Sequence, residues 1–239
     1  MNLPSVEDLL KAGAHFGHNP SKTHPKMKDF VFGVRKGIHI VNLDKTVSQL
    51  EIACDFAKEL ASNGGKILFV STKPQAKAII KECAIEANMP YITERWLGGL
   101  FTNHHNVSKL IKKLKELRQK HGSDEILKYT KKEQSLSKKE LEKLEKLVGG
   151  LQDMIGLPQA VFIVDVKNDK TALLEARKKN IPVIAICDSN NKPDYIDYVI
   201  PSNDDAPKAI ALICRAITSA LKDGEKKAAS RKEAGSKKE

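Results

Sequence analysis

Arg95-Trp96-Leu97-Gly98-Gly99-Leu100-Phe101-Thr102-Asn103 is the stretch that decides how the chain is organised. Upstream of it, apolar Val/Ile runs alternate with amphipathic helical patterns. Downstream lies a lysine-rich helical segment that lasts until a second glycine pair, Gly149-Gly150, after which the alternation resumes. Glycine turns the backbone without a Cβ clash, so two such pairs around a change of composition read as the two feet of one insertion. The expected organisation is an N-terminal helix, basic loop and short hairpin (1–43), an α/β body (44–103 and 151–221), an inserted basic helical hairpin (104–150) and a disordered tail (222–239).

Within the body, 66–71, 90–93, 160–165, 182–187 and 198–200 read as strands. Helices over about 44–63, 74–88, 169–180 and 203–221 alternate with them. Continuous Val/Ile runs between helices suit a parallel sheet covered on both faces. The economical topology is an open five-stranded parallel sheet of order 2-1-3-4-5 with right-handed crossovers. Before it, Ser5 and Asp8 predict a capping box, and 30–34 with 38–41 predict a hairpin.

Inside the insertion, Val107, Leu110, Leu114 and Leu117 follow 3-4-3 spacing, as do Leu141, Leu144, Val148 and Leu151. Both are coiled-coil seams, which an antiparallel helical hairpin would bury against each other. Ser137-Lys138-Lys139-Glu140 reads as the capping box of the second helix.

The 239 residues are 41% hydrophobic, ample for a core. Cys54, Cys83, Cys187 and Cys214 stand far apart with no C-x-x-C pair, which disfavours a disulfide frame or zinc knuckle. The start carries no secretory signal pattern and no apolar run approaches the roughly 20 residues of a membrane span. The formal charge is +11, and its location matters more than its total. Residues 104–150 hold 13 Lys/Arg against 7 Asp/Glu, residues 151–221 hold 8 against 9, and the tail 7 against 4. A near-neutral body with basic appendages favours a polyanionic partner.

A doubly wound sheet invites an enzyme reading, but the motifs are missing. The turn Ser71-Thr72-Lys73-Pro74-Gln75-Ala76 has neither G-x-G-x-x-G nor a P-loop, and no nucleophile elbow occurs. Lys73, near a helix N-terminus, is either a phosphate contact or a solvated lysine. Asp188, Asp204 and Asp205 fall at predicted strand ends or helix starts, where they are helix caps or ligands of a divalent cation, magnesium or zinc. No other cofactor is called for. His15, His18 and His24 fit no common zinc spacing. Arg95 is a candidate RNA contact, and Trp96 either stacks on a base or anchors the foot of the arm. The +6 excess of the arm points Lys109, Lys112 and Lys113 towards phosphates.

These residues resemble those of the bacterial-type ribosomal protein S2 family. The resemblance rests on Leu9-Leu10-Lys11-Ala12-Gly13-Ala14-His15-Phe16-Gly17-His18, the N-P-x-x-x-x-P-K-M-K pattern of 19–28, and Ile38-His39-Ile40-Val41-Asn42-Leu43-Asp44-Lys45-Thr46. Arg95-Trp96-Leu97-Gly98-Gly99, Pro158-Gln159-Ala160 and Ile200-Pro201-Ser202-Asn203-Asp204-Asp205-Ala206 extend it over nearly all of 5–221. Thr23-His24 departs from the family, where many members carry a tryptophan. The resemblance implies a flavodoxin-like body with a protruding helical hairpin, in a non-enzymatic protein of the small ribosomal subunit in the cytoplasm. It implies binding to 16S-type rRNA, neighbouring ribosomal proteins as partners, and help in docking the large mRNA-binding protein of the subunit. Lys22, Lys26, Lys28, Arg35 and Lys36 would join the arm in neutralising phosphates, reading folded shape rather than bases. The near-neutral C-terminal half is then the expected protein-docking face.

Overall fold

A computed structural model describes residues 3–123, 129–154 and 156–236. Part of the expected polar connection of the arm (124–128) and the end of the tail (237–239) lie outside the described residues.

Helix α1 (Val6–Lys11) opens with the expected capping box: Ser5 Oγ accepts from the Asp8 amide at 3.1 Å and the Asp8 carboxylate reaches back to Ser5. Strands β1 (Val31–Arg35) and β2 (Ile38–Val41) form the antiparallel hairpin. Residues 15–18 run beside β2, through Gly17 N–His39 O at 2.9 Å and Val41 N–His15 O at 2.8 Å.

Five parallel strands make the body: β3 (Ile67–Val70), β4 (Tyr91–Ile92), β5 (Ala160–Ile163), β6 (Val183–Cys187) and β7 (Tyr198–Pro201). Their spatial order is β4-β3-β5-β6-β7, the 2-1-3-4-5 order expected. Successive side chains of a strand point to opposite faces. Phe69, Phe162, Ile184 and Ile186 therefore meet α2 (Leu43–Ser62), α3 (Pro74–Glu86) and α7 (Pro207–Ser236) on one face. Leu68, Val70, Val161, Ile163, Val183 and Ala185 meet α6 (Lys170–Lys178) on the other.

The second face is shared with the insertion. Helices α4 (His104–His121) and α5 (Lys131–Val148) pack against each other, and Val107, Ile111, Leu114, Leu144 and Val148 are buried in the same cluster as the sheet. The arm is thus rooted in the body core. The second glycine foot is a close approach: a Cβ on Gly150 would sit 2.3 Å from the Tyr91 carbonyl oxygen, so only glycine lets the arm's base cover edge strand β4.

Two sequence expectations give way. Helix α5 begins at Lys131, capped by Thr130 with Glu133, while Ser137 lies inside it and its Oγ stands 2.9 Å from His121 Nε2. A residue that can cap is used internally once a partner helix offers it a bond. The tail is not disordered from Lys222: α7 starts at Pro207, later than expected, and continues to Ser236. A Cβ on Gly224 would meet Lys58 O at 2.3 Å, so this glycine lets α7 press against α2. Lys222–Glu86 (2.7 Å) and Lys66–Glu225 (3.4 Å) pairs hold the extension.

Candidate nucleic-acid interface

The opening stretch folds around one carboxylate. Glu175 on α6 is buried beneath it and accepts from Trp96 Nε1 (3.1 Å), Gly99 N (2.7 Å), Phe101 N (3.0 Å), Thr102 N (3.3 Å) and Thr102 Oγ1 (3.3 Å). Burial raises the cost of its charge, yet these donors outweigh it and hold its pKa below the usual glutamate value. Gly99, at φ +89°, supplies the turn that aims successive amides at one oxygen pair. Trp96 is buried with its ring edge-on to Phe101 at 5.1 Å. It anchors the foot and presents no face to a base, which removes it from the RNA candidates. Arg95 is exposed.

The crevice at the carboxyl ends of β3 and β5, where open α/β sheets bind ligands, is closed by the protein itself. Lys73, with a side chain only 12% exposed, reaches Asp165 (3.3 Å), Asp204 (2.8 Å) and Asp205 (2.7 Å). Burial opposes its charge, but the bonds to Asp204 and Asp205 keep its pKa above the ordinary lysine value. Asp204 is itself pushed up to about 6, by burial first and then by the neighbouring Asp165 charge, with Lys73 countering both. Beside it Asp169 accepts from Thr72 N (3.1 Å) and Thr72 Oγ1 (2.9 Å). Lys73 is therefore spent on internal carboxylates and offers no phosphate contact. Asp204 is neither a helix cap nor free to hold a cation.

The side chains that come close enough to share a cation differ from the sequence expectation in one member. His18, not Asp204, joins Asp188 and Asp205, with one ligand atom from each lying within 4.8 Å of the others. Ser189 Oγ accepts from His18 N at 2.8 Å, and the loop passes so close that a Cβ on Gly17 would stand 2.9 Å from that oxygen. His18 Nδ1 comes 2.9 Å from Asp188 Oδ2 without hydrogen-bond alignment, and neither atom finds another partner among the described residues. Burial pushes the Asp188 pKa up, and the nearby His18 charge works against that.

On the arm the charges face outward. Lys109, Lys112 and Lys115 are exposed and carry no ion pair among the described residues, whereas Lys113 pairs with Glu140 and Arg118 with Glu145 at 2.8 Å. Lys22 and Lys28 are exposed beside the N-terminal 3₁₀ turns, and Lys26 is bound to Asp194. Arg35 and Lys36 sit on the tip of the β1–β2 hairpin. They rim an apolar groove of about 640 Å³ lined by Leu10, Phe16, Phe32, Val34, Ile38 and Ile40. Phe32 is 80% exposed there, an apolar cluster that the alternating pattern alone did not single out.

Sequence reasoning missed Glu175, and set His18 aside with His15 and His24 because their spacing fits no common zinc pattern. Glu175 had a signal: it falls between Ala172 and Ala176 on the apolar face of a short helix, where a carboxylate has to find donors. What the local spacing of His18 could not reveal is its set of neighbours, which lie about 170 residues away. No described helix is long and apolar enough to cross a membrane. A model of the ribosomal protein S2 family matches residues 9–224, and the chain belongs to that family, as a structural protein of the small ribosomal subunit and not an enzyme.

Proposed function

We propose that the protein binds rRNA in the cytoplasmic small subunit through the arm and loop cations, and that it helps dock the large mRNA-binding protein. The observation that carries the rRNA reading is the exposed lysine face of α4 (Lys109, Lys112, Lys115), unpaired among the described residues, on an arm rooted in the body core. A rigid root with free ammonium groups supports phosphate contact, because binding then releases counterions without reordering the arm. Arg35, Lys36, Lys22, Lys28 and Arg95 add cations on the N-terminal loops and the arm's foot.

The test replaces Lys109, Lys112 and Lys113 with Glu and follows incorporation into small subunits by gradient sedimentation across a salt series. The variant is expected to incorporate poorly while losing no more than about 0.5–1 kcal/mol of stability, with the slope of binding against salt reduced by about 2–3. Normal incorporation would remove the arm from the RNA contacts.

For docking, the exposed apolar groove of the β1–β2 hairpin is a better candidate than the near-neutral C-terminal half, since buried apolar area drives protein association. Phe32→Asp is expected to leave rRNA binding intact and lower occupancy of the mRNA-binding protein in purified subunits.

The third part of the reading is a divalent cation, zinc in preference to magnesium, on His18, Asp188 and Asp205. One imidazole and two carboxylates suit zinc, and the unaligned His18–Asp188 approach leaves two buried atoms for it to satisfy. It would tie the N-terminal loop to the strand ends. Zinc content of the dialysed protein by mass spectrometry is expected to be one per chain and to vanish in His18→Ala; a metal-free wild type would refute the assignment.

A further inference from the structure

We propose that a pocket at the carboxyl ends of β5 and β6 takes one unstacked nucleotide of an RNA strand, base first. The pocket holds about 300 Å³, the room of a single nucleotide, and lies apart from the arm. Its floor is apolar: Val166, Leu173 and the exposed Leu174. One wall is Tyr195, 48% exposed and backed by the Arg177 guanidinium 3.1 Å from its ring centroid. Backed on one side, the ring is a rigid stacking platform for a base. Its backbone is held at φ +72°, an arrangement that costs energy for a residue with a Cβ.

The polar side of the pocket selects the ligand. Asn191, 2% exposed, donates through Nδ2 to Asp204 Oδ2 at 3.2 Å, and this sets its amide so that Oδ1 is the free end. That oxygen, like Asn190 Oδ1, is buried without a partner among the described residues. Two unsatisfied carbonyl oxygens ask for two N–H donors, which one exocyclic amino group of adenine or cytosine supplies, whereas the Watson–Crick edge of uracil offers the single N3–H. At the rim, Lys167 and Lys170 carry no ion pair among the described residues and suit the flanking phosphate, whereas Lys192 is neutralised by Asp194 at 2.9 Å. An apolar floor, a buttressed aromatic, base-edge acceptors and free cations are together the chemistry of an extruded nucleotide. The inference rests on the rRNA reading and adds base selection to a protein otherwise expected to read RNA by shape.

The experiment titrates the full chain with heptaadenylate carrying a central 8-azidoadenine, irradiates, and maps the label by mass spectrometry. Label is expected on the 189–197 loop, and heptauridylate, which leaves one buried acceptor unsatisfied, should compete about tenfold less well. Tyr195→Gly should remove that label and weaken binding about tenfold; glycine accepts φ +72° freely, so the variant keeps its fold. Tyr195→Phe should retain the label. Labelling that ATP displaces and heptaadenylate does not would overturn the RNA source in favour of a free nucleotide. Label confined to the arm, unchanged by Tyr195→Gly, would overturn the pocket and leave the rRNA reading standing. A wild-type chain that neither binds nor is labelled would likewise overturn the pocket, while the rRNA reading stands or falls with subunit incorporation.

Discussion

Lys73 and Lys109 are the same residue type with opposite fates, and the regions that hold them divide the molecule. In the crevice at the sheet's carboxyl edge, Lys73 is sunk among Asp165, Asp204 and Asp205. On α4, Lys109 and Lys112 stand in solvent with no carboxylate in reach among the described residues. The first region holds its charge by internal pairing, in a place where other α/β folds hold a ligand. The second leaves its charge unbalanced. A charge closed on itself serves stability, and one left open is available to a partner.

Removing the buried cation should break the crevice outright. Lys73→Met strands Asp165 and Asp204 without their partner, for an expected loss of about 3–5 kcal/mol in urea unfolding. A loss under about 1 kcal/mol would mean the crevice is no more than a surface ion pair.

Helix α7 offers a smaller test of what counts as body. Gly224→Ala places a methyl against the Lys58 carbonyl, with an expected cost of about 1–3 kcal/mol. A neutral result would restore the extension past Lys222 to the status of an appendage.

Glu175 joins the two regions, because its carboxylate holds the arm's foot to α6. Glu175→Gln turns one acceptor oxygen into a donor facing donors, so about 1–3 kcal/mol is expected, with faster hydrogen exchange at Gly99, Phe101 and Thr102. The folded pKa is below the unfolded value, so the stabilisation is present above the ordinary glutamate pKa of 4.5 and is lost as pH falls through the lowered folded value. The gap between wild type and variant should therefore be full at neutral pH and close in acid; a gap constant from pH 7 to pH 3 would sink the linkage.

The smallest stability effect belongs to the open region. Reversing Lys109, Lys112 and Lys113 should shift unfolding by no more than about 0.5–1 kcal/mol, the scale of exposed charges and of the one surface pair with Glu140. A large loss would show that the arm's lysines hold the arm together.

The sheet order, the α1 capping box and the seam positions Val107, Leu114, Leu144 and Val148 were legible because each is written in local periodicity or cap chemistry. Ile111 was passed over, since strict 3-4-3 spacing describes a two-helix seam while the arm's base also packs on the body. The extent of α7 was hidden by composition: a Lys, Glu, Ala and Gly stretch reads as solvated until the backbone of α2 is known to lie against Gly224. At the candidate sites, the exposed cations at Arg35, Lys36, Lys109 and Lys112 stood where residue type and surrounding pattern put them. Lys73 and Trp96 did not, because burial converted both into structural residues.

The sequence by itself determined the α/β body, the inserted basic arm and where the excess positive charge lies, since periodicity, glycine pairs and charge balance are properties of neighbours along the chain. Only the tertiary structure decided which charges are free. Lys73 meets an aspartate 131 positions on and Trp96 a glutamate 79 positions on. Such long-range encounters are set by packing, and burial then forces each polar group to find a partner.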